Sequence, residues 1–434
     1  MEKVKKMLPK FCGFLFFGTM CTFVSAQKIN YQVNPQTGAL QTLSIANDPQ
    51  KMNWLVVTDG SQYRWVKENY GWGLGYATQV KGNRKEKVSW EIPAEMKQEG
   101  NELVYMAGDI RICVKRKMVE DELIEENTFR NQGKDKVALV DIGVYTPFND
   151  NYPGSRTCIN TRTNTHIWEG ENAAYVNALR MGGHAPHLGL VLTKGAVKGY
   201  EIWERGRDKG NSHTRGIIAQ NLPDLQLMPG KEYSMSWCLF AHKGIDDFRQ
   251  KLLEKGSVFV SCNKYVFEKG EKACIELAAE TSIQKCVLKN QDIHIPMKKR
   301  GNLWIAEVKM DQLGENRFDI FYGKGKQTHV TCLVIDNVDS LIKKRVDFIC
   351  DHQQMKESNT RKDAFMVYDN EKNEIYLNNT RNCNPVDRDE GAERVGMGVL
   401  LAKYYQLHPN DHIKIALLKY AKFLRNRLQE SDYK

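Results

Sequence analysis

Glu102-Leu103-Val104-Tyr105-Met106 and Ile110-Arg111-Ile112-Cys113-Val114 are short apolar-alternating runs with Gly and Asp between them. Each reads as a β-strand. The same pattern extends outward from Ile29 to about Phe240, with Leu188-Gly189-Leu190-Val191-Leu192 and residues 232–240 as further strands and Gly, Asn, Asp and Pro between them. Short strands at this spacing over about 210 residues predict a large antiparallel β-sandwich, assigned to 27–245. Asp246 to Gly256 reads as a short connecting helix. Strand patterning resumes over 258–336, at Cys274–Leu277, Lys285–Leu288, Leu303–Val308, Arg317–Tyr322 and His329–Ile335, the size of a small immunoglobulin-like sandwich.

After Asn337 the period changes. Leu341, Ile342, Val346, Ile349 and Cys350 follow helical spacing behind Asp339 or Ser340 as N-cap. A hairpin is expected at Phe365–Tyr368 and Ile375–Leu377, then a helix from about Glu390 to Gln406. The last helix runs from about His412 to Leu428, capped by Asn410 or Asp411, with Ile413, Leu417, Tyr420, Ala421 and Leu424 on one face. The fold class is mainly β with C-terminal α. The last two helices carry apolar stripes that need a cover.

The 434 residues are 27% charged and 41% hydrophobic with only 12 Pro, a composition that buries a core and is not that of a disordered chain. Residues 1–26 combine Lys3, Lys5, Lys6 and Lys10 with an apolar run from Phe11 to Val24 and Val24-Ser25-Ala26, the pattern of a cleaved secretory signal peptide. The run is too short for a membrane span, which takes roughly 20 residues. The expected location is secreted, periplasmic or at the cell surface, with no membrane association after cleavage. Loss of those four Lys and of Glu2 lowers the net charge from +10 to about +7. The basic residues that remain are interleaved with acidic ones, which argues against nucleic acid as a partner. Nine Cys follow Ala26 without a CxxC or a zinc spacing, and Cys274 with Cys286 is the pair expected to be close, both lying in one β-patterned unit. Neither a metal nor a cofactor is expected.

Two segments carry chemistry. The first is Asn382-Cys383-Asn384-Pro385-Val386-Asp387-Arg388-Asp389-Glu390-Gly391-Ala392-Glu393-Arg394-Val395-Gly396-Met397-Gly398, dense in carboxylates and guanidinium groups at the start of a helix. Its plain alternative is a charged helix N-terminus, where acidic residues favour the dipole. Gly391, Gly396 and Gly398 cost helix stability and so point to close backbone contacts. The second is the polar loop from Asn149 through Arg156, Asn160, Arg162, Asn164, His166 and Trp168. An aromatic face among planar polar groups suits a sugar ring, and Arg adds two-point capture of a carboxylate. Its alternative is a sandwich loop with Trp168 packed inward. His184 and His187 flank Pro186 without a nearby third ligand and read as structural, and Tyr70–Tyr76 as a turn with packed aromatics.

Asn164-Thr165-His166-Ile167-Trp168, Arg180-Met181-Gly182-Gly183, Pro186-His187-Leu188-Gly189-Leu190-Val191-Leu192-Thr193 and Val386–Arg394 together resemble the six-hairpin glycosidases, most of all glycoside hydrolase family 154. The resemblance covers nearly all of 28–434. It implies exo-β-glucuronidase action on plant polysaccharide side chains and a fold in which the two sandwiches precede an (α/α)6 barrel. Over 337–434 it implies only the beginning of that barrel, an incomplete one. Glycoside hydrolysis pairs two carboxyl groups, about 5 Å apart in retaining and about 6.5–9.5 Å in inverting enzymes. The resemblance makes Asp389, Glu390, Glu393 and Asp387 the candidates for one of them. Arg388, Arg394, Asn384 and Arg162 become candidates for holding an acidic polysaccharide or oligosaccharide, with His166 and Trp168 beside them. The rival expectations are a non-catalytic glycan-binding sandwich and a polysaccharide lyase, since lyases also join helical toroids to sandwiches.

Overall fold

The computed structural model describes residues 28–56, 70–91, 96–150, 154–204, 216–358, 361–375 and 395–430. The segment 1–26, expected to be a signal peptide, and the run 384–394 lie outside the described residues. Two sheets form the N-terminal sandwich. The larger has eight strands in the order Thr163–Trp168, Tyr175–Arg180, His187–Lys194, Glu232–His242, Glu122–Asn131, Ile110–Val119, Glu102–Ala107 and Lys97–Glu99, all antiparallel. The smaller is built from Gly199–Glu204, Gly216–Asn221, Val137–Tyr145, Gly75–Lys81 and Arg84–Ser89, with Leu225–Leu227 also pairing to Val137–Tyr145.

Alternation along these strands explains the sandwich. Ile112, Val176, Leu188 and Leu239 from the large sheet meet Ala77, Leu139, Ile142 and Val144 from the small one in a single core. The aromatic turn around Trp72 belongs to it, with Trp72 edge-on to Phe148 at 5.2 Å and to Trp237 at 6.3 Å. Helix α1, Ser155–Thr161, interrupts the polar loop that leads into the first strand of the large sheet. Helix α2, Ile245–Glu254, lays Phe248 and Leu252 on the outer face of the large sheet against Val191, Cys238 and Phe240. It is the connecting helix that the sequence predicts.

Two more sheets follow. Phe259–Cys262, Lys272–Ala278, Leu303–Lys309 and Lys298–Arg300 form one. Val266–Glu268, Lys326–Ile335, Gly314–Tyr322, Ile283–Leu288 and Ile293–Ile295 form the other, and Val266–Glu268 pairs in parallel with Leu333–Ile335. Phe267, Ile275, Leu277, Phe318, Ile320 and Val330 are buried between them.

A third core is helical. Helix α3, Val338–Phe348, is capped by Asn337, whose Oδ1 accepts from the backbone N–H of Asp339 and Ser340. The cap therefore lies before the two residues predicted for it, because the Asn337 side chain reaches both orphan N–H groups of the first turn. A π-turn, Ile349–Gln353, extends the helix. Of the expected hairpin, Tyr368–Asp369 pairs with Glu374–Ile375, Leu377 lies outside the described residues, and Phe365 is instead buried in the helical core, bridging to Gln354. Helix α4, Val395–Leu407, and helix α5, Asp411–Glu430, follow, with Asn410 Oδ1 accepting from Ile413 N–H at 2.9 Å as predicted. The buried stripe of α5 is Ile413, Ala416, Tyr420 and Phe423, turned slightly from the predicted one, so Ala421 is exposed while Phe423 packs inward. Ile415 and Leu418 of α5 and Leu407 of α4 remain on the surface. A Cβ on Gly398 would meet the Tyr420 ring at 2.7 Å, which is the close contact expected of this glycine, whereas Gly396 faces open space. Among the described residues no helix is long and apolar enough to cross a membrane.

One charged pair ties the large sandwich together at its rim. Arg180 ends the strand Tyr175–Arg180, and its Nη2 donates to both carboxylate oxygens of Asp48 at 2.8 Å, with both side chains almost fully buried. Removing one member leaves the other charged and dry, which costs about 3–5 kcal/mol, while replacing both together costs less. Denaturant unfolding should show Arg180→Met and Asp48→Asn each losing stability on that scale, with the double variant less destabilised than the sum.

Candidate functional site

Three of the family-like segments, separated in the chain, are neighbours in the sheet. In the register of the large sheet His166 stands opposite Asn177, and Asn177 opposite Gly189. Directly opposed residues of an antiparallel pair share a face, so alternate residues of these strands, Asn164, His166, Asn177 and Gly189 among them, build one outer surface, while Val176 and Leu188 between them face the core. His187 stands opposite His242 in the next row. Toward the sheet interior α2 covers this face; at its edge strand Asn164 and His166 remain exposed.

The rim of that surface is held by α1 and the turn 181–186. Arg162 follows α1 directly and is half-buried; its backbone N–H donates to Cys158 O at 3.1 Å and its carbonyl accepts from Met181 N–H at 2.8 Å. Exposed His184 has Nε2 at 3.2 Å from Asn160 Oδ1 and Nδ1 at 3.2 Å from Gly182 O. Gly183 makes this turn possible by adopting φ +79°. Asn160, Arg162, Asn164, His166 and His184 thus form a polar corner at the sheet edge.

Beneath the corner lies a set of buried, hydrogen-bonded polar groups. Arg180 Nη1 donates to Asn160 O, and the guanidinium lies 5.6 Å from the Trp54 ring centroid. The Asp48 carboxylate also accepts from the backbone N–H of Gln50 and Met52, both at 3.1 Å. His187 Nδ1 accepts from Arg180 N–H at 3.1 Å. Burial, and then the Arg180 charge, hold the His187 imidazole below its usual range. His242 lies 5.3 Å from His187, centroid to centroid, and burial followed by that neighbour push it down to about 4. Both rings are neutral packing elements at neutral pH, which agrees with the structural reading of His187.

Trp168 sits elsewhere. It stacks with Tyr175 at 6.4 Å and with His329 of the second sandwich at 6.3 Å. The tip of its hairpin, residues 169–174, enters the second sandwich: Glu171 Oε1 accepts from Arg317 Nη2 at 2.7 Å, Asn172 pairs its backbone and side chain with Gln327, and Ala173 joins the second core. The structure therefore places Trp168 at the junction of the two sandwiches and His166, two residues earlier, at the exposed corner.

Asn384, Asp387, Arg388, Asp389, Glu390, Glu393 and Arg394 lie outside the described residues. The described part of helix α4 runs from Val395. Beside α5 the helical unit has a concavity of about 570 Å³, lined by Lys356, Lys362, Lys419, Lys422, Asp351 and His412, with His412 Nε2 3.1 Å from Asp351 Oδ1. Among the described residues no group of three or more His, Cys, Asp and Glu is arranged to hold a metal.

The polar corner presents amide, imidazole and guanidinium groups on a backbone fixed by strand pairing, an arrangement suited to hydroxyl and carboxylate groups of a sugar. Sequence reading singles out Asn160, Arg162, Asn164 and His166 and takes His184 as structural, but misses the pairing of Asp48 with Arg180 that holds the frame. One signal for it was present. A charged residue that closes the apolar run Tyr175–Leu179 has to find a partner if the strand is buried.

Residues 220–432 match the model of a family described as of unknown function, DUF5695. No curated protein matches the chain. Among solved structures, a polysaccharide lyase is similar at 56% identity and a TM-score of 0.84, over 92% of this chain and 60% of that one. The chain thus spans about 60% of the length of that lyase. A galactose mutarotase-like protein from Lactobacillus casei covers 50% of this chain and 97% of its own at 10% identity and a TM-score of 0.31, too distant to inform the site. The similar protein is named a lyase, where the sequence resemblance had implied a glycosidase of family 154.

The histidine pair beneath the corner makes stability depend on pH. A folded-state pKa depressed below the unfolded value means that the unfolded chain binds the proton more tightly. The stabilisation from neutral His242 is therefore complete above about pH 6.5 and is lost as pH falls toward its folded value of about 4. Between about pH 7 and 5, His242 accounts for a loss of about 2 kcal/mol. Denaturant titrations at the two pH values should show that loss in the wild type and a smaller one in His242→Gln.

Proposed function

We propose that this chain carries the two sandwiches and the first helices of a secreted polysaccharide lyase that acts on uronic-acid-containing glycans. The observation that carries the reading is the 56% identity to a polysaccharide lyase over 92% of this chain, at a TM-score of 0.84. In this reading the helices after Asn337 begin an (α/α)6 barrel, and substrate lies between the barrel and the polar corner of the large sheet.

Lyase chemistry is β-elimination. A base removes the proton on C5 of a uronic acid, the bond between C4 and the glycosidic oxygen breaks, a C4–C5 double bond forms, and the departing oxygen takes up a proton. The C5 proton becomes acidic enough only when the neighbouring carboxylate is neutralised. Guanidinium groups do this with two parallel hydrogen bonds. Arg162, Arg388 and Arg394 are the groups proposed for it, with Asn384 on the sugar hydroxyls. His166 is the proposed proton acceptor, an imidazole being suited to general base work. Asp387, Asp389, Glu390 and Glu393 orient the guanidinium groups beside them.

Hydrolysis is the second reading, favoured by the likeness of Val386–Arg394 to glycoside hydrolase family 154. There Asp389, Glu390 or Glu393, with Asp387 behind them, provides the acid or the second carboxylate of the pair. The product distinguishes the two. Incubation with a glucuronate-bearing polysaccharide should yield an unsaturated uronate that absorbs in the ultraviolet, and Arg162→Ala should lower kcat/KM about tenfold or more with the Tm little changed. Saturated glucuronate, lost in Glu393→Gln or Asp389→Asn, would instead establish hydrolysis. Saturable binding with no product would leave a glycan-binding protein.

A further inference from the structure

The second sandwich contains a chemistry-bearing pair that the glycan reading does not use. Its chain switches sheets at one corner: Phe259–Cys262 pairs with Lys272–Ala278 in the first sheet, and four residues on Val266–Glu268 runs in parallel with Leu333–Ile335 in the second. The connecting segment is pinned on both sides. Asn263 exchanges hydrogen bonds with Cys274, its N–H donating to Cys274 O at 3.1 Å and its Oδ1 accepting from Cys274 N–H at 2.8 Å, while Tyr265 O accepts from Leu333 N–H at 2.8 Å. This crossing sets Cys262 of one sheet against Cys332 of the other, Sγ to Sγ at 3.9 Å. The pair expected from sequence, Cys274 with Cys286, is not the contacting one. Cys286 is fully buried on Ile283–Leu288 of the second sheet, and Cys274 is half-buried on the first.

We propose that Cys262 and Cys332 are a modification site, forming an inter-sheet disulfide by exchange with a small aliphatic disulfide such as oxidised glutathione. The two cysteines differ in the way such an exchange requires. Cys262 is partly exposed and Cys332 fully buried, so an incoming disulfide meets Cys262 first. The Cys262 sulfur accepts from the Cys332 S–H and is favoured as thiolate by backbone hydrogen bonds at Asn263, Lys264 and Cys274, which together bring its pKa down to about 7 against the effect of burial. The hydrogen bond it donates, and then burial, push Cys332 up, keeping it protonated until needed.

The exchange balances. The Cys262 thiolate attacks one sulfur of the oxidant, a mixed disulfide forms, and one small thiolate departs. Cys332 Sγ then attacks Cys262 Sγ, its proton goes to the departing thiolate, and the protein disulfide closes. Two cysteine thiols are oxidised and one small disulfide is reduced to two thiols. The bond would close a loop of 70 residues and restrict the unfolded chain accordingly. It would also fasten the corner that precedes α3, since Glu268 at the end of the same crossing accepts from Asn337 Nδ2 at 3.3 Å.

The test is peptide mapping of the full chain after treatment with oxidised glutathione, unfolding and alkylation without reductant. The expected result is one cross-linked species joining the Cys262 and Cys332 peptides, with a Tm several degrees above that of the reduced protein. Cys262→Ser and Cys332→Ala should each abolish both the cross-link and the oxidised-minus-reduced difference in Tm; the exposed Cys262→Ser variant serves if the buried one does not fold. Alkylation of both thiols, a bond from Cys262 to Cys274, or glutathione left on Cys262 would each overturn the proposal.

Discussion

A guanidinium without water needs acceptors, and both terminal nitrogens of Arg180 have them. Asp48 takes one nitrogen, the carbonyl of Asn160 the other, and the Trp54 ring lies alongside. Each partner comes from a different part of the chain: Asp48 from the turn after the strand Leu40–Ile45, Asn160 from α1, Arg180 from the edge of the large sheet. Because a buried charge cannot be left unpaired, these parts must close together or not at all. That single requirement positions α1, hence Arg162, and through the Arg180 backbone N–H it also orients His187. The exposed polar corner rests on a frame that no ligand needs to touch.

The hairpin Thr163–Arg180 does two jobs along its length. At its base it provides the corner residues; at its tip it enters the second sandwich, where Trp168, Glu171 and Ala173 meet His329, Arg317 and the second core. The polar corner and a junction between sandwiches thus share one strand ladder. The division follows from the length of the strands, since six paired residues carry the chain from the rim at Thr163 to the junction at Trp168. Aromatic character alone does not distinguish these ends. Both Trp168 and His166 suit a sugar by composition, and only the packing separates the ring held at the junction from the one facing water.

Much of the architecture was legible in the chain. Two-residue alternation marked the strands of both sandwiches, and the change to helical spacing after Asn337 marked α3 to α5, because burial of one face imposes its own period on each type of element. What was misread depended on reach. The cap of α3 fell to Asn337 because its side chain spans two N–H groups, and in the helical core Phe423 of α5 and Phe365, expected in a hairpin, are buried together. Of the candidate site, Arg162 and His166 were found by residue type, while Asp48 and Arg180, 132 residues apart, were not.

By itself the sequence determined the class of each segment, since amphipathic periodicity and turn residues act locally and each run has to bury its own apolar face. It also determined which polar and charged groups are available to a site. Tertiary structure alone decided their company: that the segments at 164, 180 and 187 become one surface, that Trp168 belongs to a junction, and that Cys262 faces Cys332 rather than Cys274 facing Cys286. The physical reason is that sheet register and sheet crossings join residues far apart in the chain. Such joining is set by the sum of many strand pairings and by the need to pair buried charge, and no local pattern encodes either.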